Sequence, residues 1–333
     1  MARRVTITDV ARTAGVSVAT VSKVLNGRDG VAEATSAHVL RVIEELGYES
    51  SLVARGMRSR RTHVIGVLAG EFEPFSSEIF KGAAAALGDS GYELLAYTSG
   101  VRGGGSGWER RFLSRLSGTL IDGAVLVTPS AAPVDVDVPV VSIDPAAGPS
   151  GQPGVDSDSL GGATLATEHL LGLGHRRIGF IGGRPDLYHW SRVREQGFRT
   201  AMAAAGVAVD ETLLLTDDYR RGSTVAALRA LLSRADRPTA IFAAYDVSAI
   251  AAVEVARDLG LRVPEDLSVV GFGDIPESAQ TDPPLTTVSQ SIQQMGAAAV
   301  RLLTRMLDGP DVDEPRVRLP TSLVLRRSTA EPR

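Results

Sequence analysis

The chain reads as a small all-α helix-turn-helix headpiece followed by an α/β body of two doubly wound parallel-sheet halves. Three observations predict this. Residues 6–26 hold two short capped amphipathic helices separated by a glycine. From about residue 62 onward, apolar strand-like runs alternate with alanine-rich helical stretches. That second region, roughly 270 residues, is longer than one hydrophobic core usually serves.

The first helix starts at Thr6. Its side chain can cap the helix while Asp9 reaches back as in a capping box, and Ile7, Val10 and Ala11 fall on one apolar face. Gly15 supplies the bend. Ser17 can cap a second helix with the apolar stripe Val21, Val24 and Leu25, which leaves Val18, Ala19, Ser22 and Lys23 outward. In a helix-turn-helix the second helix lies in the major groove of DNA. Its first side chains touch base edges, and Thr, Ser, Lys and Asn hold phosphates. The candidate contacts are Thr6, Ser17, Val18, Ala19, Thr20, Ser22, Lys23 and Asn26. Ordinary bundles carry the same pattern, so charge has to weigh between the two readings. Residues 1–62 hold ten Lys and Arg against six Asp and Glu, a formal +4; with −4 for the whole chain, the remainder is −8. A basic head on an acidic body is expected when only one end meets phosphate.

The run VTITDVARTAGVSVATVSKVLNG resembles the N-terminal signature of the LacI/GalR (lactose-repressor) transcription factors almost position by position, and the likeness extends along essentially the whole chain. It implies a ligand-responsive, sequence-specific DNA-binding regulator. The expected role is repression of a carbohydrate-utilisation operon by a cytoplasmic homodimer on a near-palindromic operator, with a sugar or oligosaccharide as effector. A sugar-binding or sugar-processing protein on the same body is the alternative. No cofactor, metal or membrane partner is expected.

The resemblance places a third helix over about 34–46, where Val39, Val42, Ile43 and Leu46 make a core stripe ended by Gly47, and so a DNA-binding domain of residues 1–47. It makes 48–62 a hinge. In the family this short helix forms on DNA, packs against its dimer mate and wedges an apolar side chain into the minor groove. Met57 takes that place, where leucine is usual, and Arg55 matches a minor-groove or phosphate contact. Ser50 and Ser51 stand where Pro-Asn is common.

In the body, VIGVLAG, YELLAYT, GAVLVTP, VPVVSID, RIGFIGG, AIFAAYD and LSVVGFG are strand-length apolar runs ending in Gly, Pro, Asp or Thr. Continuous apolar strands between helices mean parallel sheets covered on both faces. The resemblance implies a type I periplasmic-binding-protein-like fold over 63–333, with a ligand cleft between the halves. The first half takes about 63–157 and 290–319, the second about 158–286 and 320–333. The crossings fall near 156–160, 286–290 and 319–322. With no apolar heptad after SLVLRRSTAEPR, a dimer without a tetramerising helix is expected.

Open parallel sheets bind ligands at the carboxyl ends of their strands. Matched to the family's effector positions there, the candidates are Phe75, Ser76, Asp144, Arg194, Tyr219, Tyr245, Asp274 and Gln290, with Trp190 as a stacking face beside Tyr188 and His189. Arg194 is anchored by the family's R-x-x-G-F pattern, intact as Arg194, Gly197 and Phe198. Sugar-binding relatives usually carry Asn at the position of Tyr245 and Asp at that of Gly273. Trp108, in WERRFLSRL, reads as helix packing.

Other chemistry finds no footing. Cysteine is absent, which fits a reducing compartment. The N-terminus is polar and the apolar runs are only strand length, so neither signal peptide nor membrane span is read. VRGGGSG and PAAGPSGQPG are loops, and GFIGGR lacks the glycine spacing of a dinucleotide fingerprint. No nucleophile elbow, metal spacing or paired carboxylates appear, so no enzyme activity is expected.

Overall fold

The computed structural model describes residues 5–25, 28–48, 61–98, 107–130, 136–149, 151–184, 187–217, 224–309 and 315–333. Asn26, Arg55, Met57 and Tyr219, and with them most of the expected hinge, lie outside the described residues. The chain divides into two units, Met1–Thr62 and His63–Arg333.

The first unit is three helices: α1 (Ile7–Thr13), α2 (Val18–Leu25) and α3 (Glu33–Leu46). Local chemistry sets each start. The Asp9 amide donates to Thr6 Oγ1 at 3.3 Å while the Thr6 amide donates to Asp9 Oδ2 at 3.0 Å, closing the capping box on α1. The Thr20 amide donates to Ser17 Oγ at 3.0 Å at the head of α2. Gly47, with φ of 60°, ends α3. Val10, Ala11, Ala14, Val21, Val39 and Val42 form the core.

The second unit holds two six-stranded sheets. In the first, β1 (Val64–Ala69), β2 (Glu93–Thr98), β3 (Gly123–Val127), β4 (Val140–Ile143), β5 (Gly154–Ser157) and β11 (Arg316–Leu319) lie in the order β11-β5-β4-β3-β1-β2, all parallel. Helices α4 (Pro74–Leu87) and α10 (Ile292–Asp308) pack side by side on this sheet, burying Ile79, Ala83, Met295, Ala299 and Leu303. They meet backbone to backbone. A Cβ added at Gly82 would stand 1.9 Å from the Gln293 carbonyl oxygen, and one at Gly296 2.3 Å from that of Ile79. Between β2 and β3, α5 (Trp108–Leu116) buries Trp108 against Phe112, ring centroids 5.4 Å apart.

The second sheet contains β6 (Ile178–Gly183), β7 (Leu214–Asp217), β8 (Ala240–Ala243), β9 (Ser268–Gly273), β10 (Thr286–Ser289) and β12 (Ser322–Val324) in the order β12-β10-β9-β8-β6-β7, with β12 antiparallel to β10. Helices α6 (Ser159–Gly172) and α7 (His189–Ala204) pack together; beside them Phe180, Phe198, Phe242 and Phe272 are buried. On the remaining face, α8 (Val225–Leu232) and α9 (Asp246–Asp258) cover Ile241, Val269 and Leu285. The chain passes between sheets from β5 into α6, from β10 into α10 and from β11 into β12. Two of these passages are tied together: the Asp158 amide donates to the Leu319 carbonyl at 2.9 Å, and Thr321 Oγ1 donates to the Asp158 carbonyl at 3.1 Å. Five strands absent from the apolar runs of the sequence, β5, β7, β10, β11 and β12, have three or four residues each.

Candidate nucleic-acid interface and ligand cleft

In the three-helix unit the packing of α2 decides what faces outward. Val21 is fully buried, so its neighbours around the helix are turned to solvent: Val18, Ala19 and Lys23 are exposed and Thr20 and Ser22 half-buried. Val18 is 42% exposed, which is unusual for an isolated valine with no core role. Thr6 and Ser17 are exposed at the heads of α1 and α2; Ser17 Oγ lies 2.9 Å from Thr20 Oγ1. Methyl groups, hydroxyls and one ammonium thus share a single helix surface.

In the body, the polar candidates converge where the chain crosses between sheets. Gln290, buried just after β10, donates through Nε2 to Asp144 Oδ2 at 3.2 Å and to Ser157 Oγ at 2.7 Å. Asp144 follows β4 with φ of 41°. Burial pushes its carboxyl up to about 6, against the opposing pull of the Arg194 charge. Arg194 projects from α7 and is only 3% exposed. Its Nη1 donates to the Ala244 carbonyl at 2.7 Å and its Nε to Ser159 Oγ at 3.3 Å. Its guanidinium carbon sits 3.8 Å from the Phe272 ring centroid and 4.7 Å from that of Trp190. The cation is therefore held flat at the cleft by groups from α6, β9 and the end of β8.

Other candidates are placed differently. Ser76 Oγ accepts from the Glu73 amide at 2.9 Å and donates to the Glu71 and Glu73 carbonyls at 3.0 Å, which commits it to the start of α4. Phe75 packs in the core of the first half, and Tyr245 and Ile275 from the second half join that same cluster. These three side chains close on one another. Asp274, with φ of 60°, is ion-paired to Arg326 at 2.6 Å.

The geometry also explains the glycine at 273. Asp246, fully buried at the head of α9, accepts from the Ile275 amide at 2.9 Å and from Thr287 Oγ1, and burial pushes its carboxyl up to about 6. Gly273 has φ of 134°, and a Cβ there would meet Asp246 Oδ2 at 3.3 Å. A side chain at 273 would be strained and pressed onto this carboxylate.

A recess opens beside the Arg194 cluster, enclosing ≈ 480 Å³ with its open mouth included and lined in part by Asp144, Asp156, Trp190 and Arg318. Arg318 and Asp156 carry no sequence signal beyond lying in short strands near the crossings. Among the described residues no group of His, Cys, Asp and Glu could hold a metal ion, and no helix is long and apolar enough to cross a membrane.

Residues 6–51 match the family described as bacterial regulatory proteins, lacI family, and residues 167–329 match a periplasmic binding protein-like domain. The sequence is 38% identical to the HTH-type transcriptional regulator CelR of Thermobifida fusca over 341 residues, 98% of each chain. The solved CelR–cellobiose complex is 37% identical, with a TM-score of 0.71 over 98% of this chain and 100% of that one. The lac repressor dimer bound to operator and the anti-inducer ONPF is 26% identical, with a TM-score of 0.82 over 98% of this chain and 100% of that one. This chain belongs to the lacI family of bacterial regulatory proteins and is a DNA-binding transcriptional regulator.

Proposed function

We propose that the protein represses a carbohydrate-utilisation operon, binding a near-palindromic operator as a cytoplasmic homodimer and responding to a neutral sugar or oligosaccharide. The observation that carries this is the convergence of Arg194, Gln290 and Asp144 at the crossings, beside the Trp190 ring. A planar cation, an amide, a carboxylate and an aromatic face are the groups that recognise a ring of hydroxyls with one apolar side. The relationship to a regulator solved with cellobiose supports a saccharide over other neutral ligands. Arg194, Trp190, Gln290 and Asp144 contact the effector. Phe75, Ser76, Tyr219, Tyr245 and Asp274 line the rest of the cleft, and those of them already packed or paired act by shaping it.

On the DNA side Val18 and Ala19 select bases, since their methyl groups suit thymine methyls. Thr6, Ser17, Thr20, Ser22, Lys23 and Asn26 hold phosphates or add a base contact, and Arg55 and Met57 enter the minor groove from the hinge. Effector binding changes the closure of the two halves, and this makes or breaks hinge packing in the dimer. The protein carries out no catalysis. Calorimetry against mono- and oligosaccharides, paired with retention on DNA as salt is raised, tests both ends. Heat with at least one saccharide and DNA retention that collapses with salt are expected. Retention that is insensitive to salt, or no heat with any sugar, would refute the reading.

A further inference from the structure

The recess beside Trp190 has a chemistry of its own. Its walls come from both halves: Asp144 and Pro145 after β4, Asp156 and Asp158 around the β5 to α6 crossing, His189 and Trp190 at the head of α7, and Arg318 on β11. Arg194 is absent from this lining and instead packs on the Trp190 ring. The indole therefore stands between the Arg194 cluster and the recess. The two halves are also fastened here, because the His189 amide donates to the Ala146 carbonyl at 2.7 Å and the His189 ring lies against Gly148.

The polar groups at the recess are sorted by what already engages them. Asp156 is ion-paired to Arg316, and Asp158 Oδ1 accepts from the Gly161 amide at 3.0 Å. Arg192 can only donate, so its 2.8 Å contact with His189 Nδ1 makes that nitrogen an acceptor and leaves the proton on Nε2. The recess thus presents the Nε2–H of His189, the exposed guanidinium of Arg318 and spare carboxylate lone pairs, beside apolar surface from Trp190, Pro145 and Leu160. Three carboxylates against Arg316 and Arg318 leave one net negative charge, which repels an anionic ligand. An aromatic face, donors and acceptors around an uncharged cavity fit a pyranose ring and exclude a phosphorylated one.

We propose that this recess is a second subsite, divided by Trp190 from the inner subsite at Arg194, that holds the distal uncharged ring of a disaccharide effector. The inference rests on the saccharide reading above and adds to it a minimum length and a charge. Affinity then depends on both rings, and residues of the recess discriminate disaccharide from monosaccharide.

The test uses the full-length protein and two variants of exposed recess residues, Arg318→Ala, which removes a donor, and Leu160→Phe, which fills space. Both are checked for an unchanged melting temperature. Calorimetry is run with glucose, galactose, cellobiose, maltose, lactose and the 6′-phosphate of the tightest disaccharide. The wild type should bind one disaccharide at least tenfold more tightly than either monosaccharide, and its phosphate ester at least tenfold more weakly. Each folded variant should lose at least fivefold on the disaccharide while any monosaccharide affinity stays within twofold. A wild type that prefers monosaccharides overturns the subsite and leaves the saccharide reading standing. So do variants that leave disaccharide affinity unchanged or weaken both classes equally, and so does equal affinity for the phosphate ester. Silence with all sugars overturns the saccharide reading as well.

Discussion

Asp144→Asn separates what the cleft carboxylate does for ligand from what it does to the fold. The carboxyl is buried after β4 and titrates near 6, against an ordinary value of 3.8 that it regains on unfolding. Between those values the native state holds a proton that the unfolded chain has lost. The group therefore makes the body less stable as pH rises through that window, and the penalty is complete above pH 6. The gap corresponds to roughly 3 kcal/mol, already net of the Arg194 attraction. Asparagine has the same shape, keeps an oxygen for the Gln290 amide and carries no charge at any pH. The stability of Asp144→Asn relative to the parent should thus grow by up to about 3 kcal/mol between pH 4 and pH 7.5. Groups common to both proteins cancel. In melting temperature this is roughly 6 to 10 °C for a unit of this size. Scanning calorimetry of both proteins across that range is the assay, with saccharide titrations at pH 7.5 alongside. The variant should lose about 1.5 to 3 kcal/mol of effector affinity as the charged acceptor goes. A stability difference that stays flat from pH 4 to pH 7.5 would refute the reasoning.

Three further outcomes are expected. Gly82→Ala places a Cβ 1.9 Å from the Gln293 carbonyl oxygen and should force α4 from α10, costing about 3 kcal/mol or more in thermal unfolding, whereas Gly172→Ala, with nothing within 4 Å, should cost nothing measurable. Gly273→Asp restores the residue usual in sugar-binding relatives, yet here it should lose about 1 to 3 kcal/mol of stability without gaining sugar affinity, because the backbone at 273 is strained for any side chain and Asp246 already holds the adjacent space. Exchanging Val18 and Ala19 together should change the operator recovered in a selection from random DNA while leaving the salt slope alone; an unchanged operator places base reading elsewhere.

What the sequence made legible was local. The capping box at Thr6 and Asp9, the Ser17 cap and the core stripe through Val39 and Val42 involve residues three or four apart, and their partners can be read without the fold. The long apolar strands were equally plain. Strands such as β5 and β11 were not, since four residues of mixed polarity carry no period. The cleft was legible as residue types and not as commitments. Arg194 was found by its motif, but the Ala244 carbonyl and the Phe272 ring that fix its plane lie 50 and 78 positions away. Ser76 was drawn into a helix cap, Asp274 into a pair with Arg326, and Phe75 and Tyr245 into a shared core. In each case a nearer partner competes for a side chain whose type alone suits a ligand.

The coupling of DNA and sugar binding is tested most directly by fluorescence anisotropy of a labelled operator, taken from a random-sequence selection and titrated with protein at rising concentrations of each saccharide. Sugar-gated repression predicts that one neutral saccharide shifts operator affinity by about 5- to 150-fold, a coupling of 1 to 3 kcal/mol, and that operator shifts saccharide affinity by the same factor. An operator affinity that no saccharide moves, with sugar bound in the same samples, would contradict it.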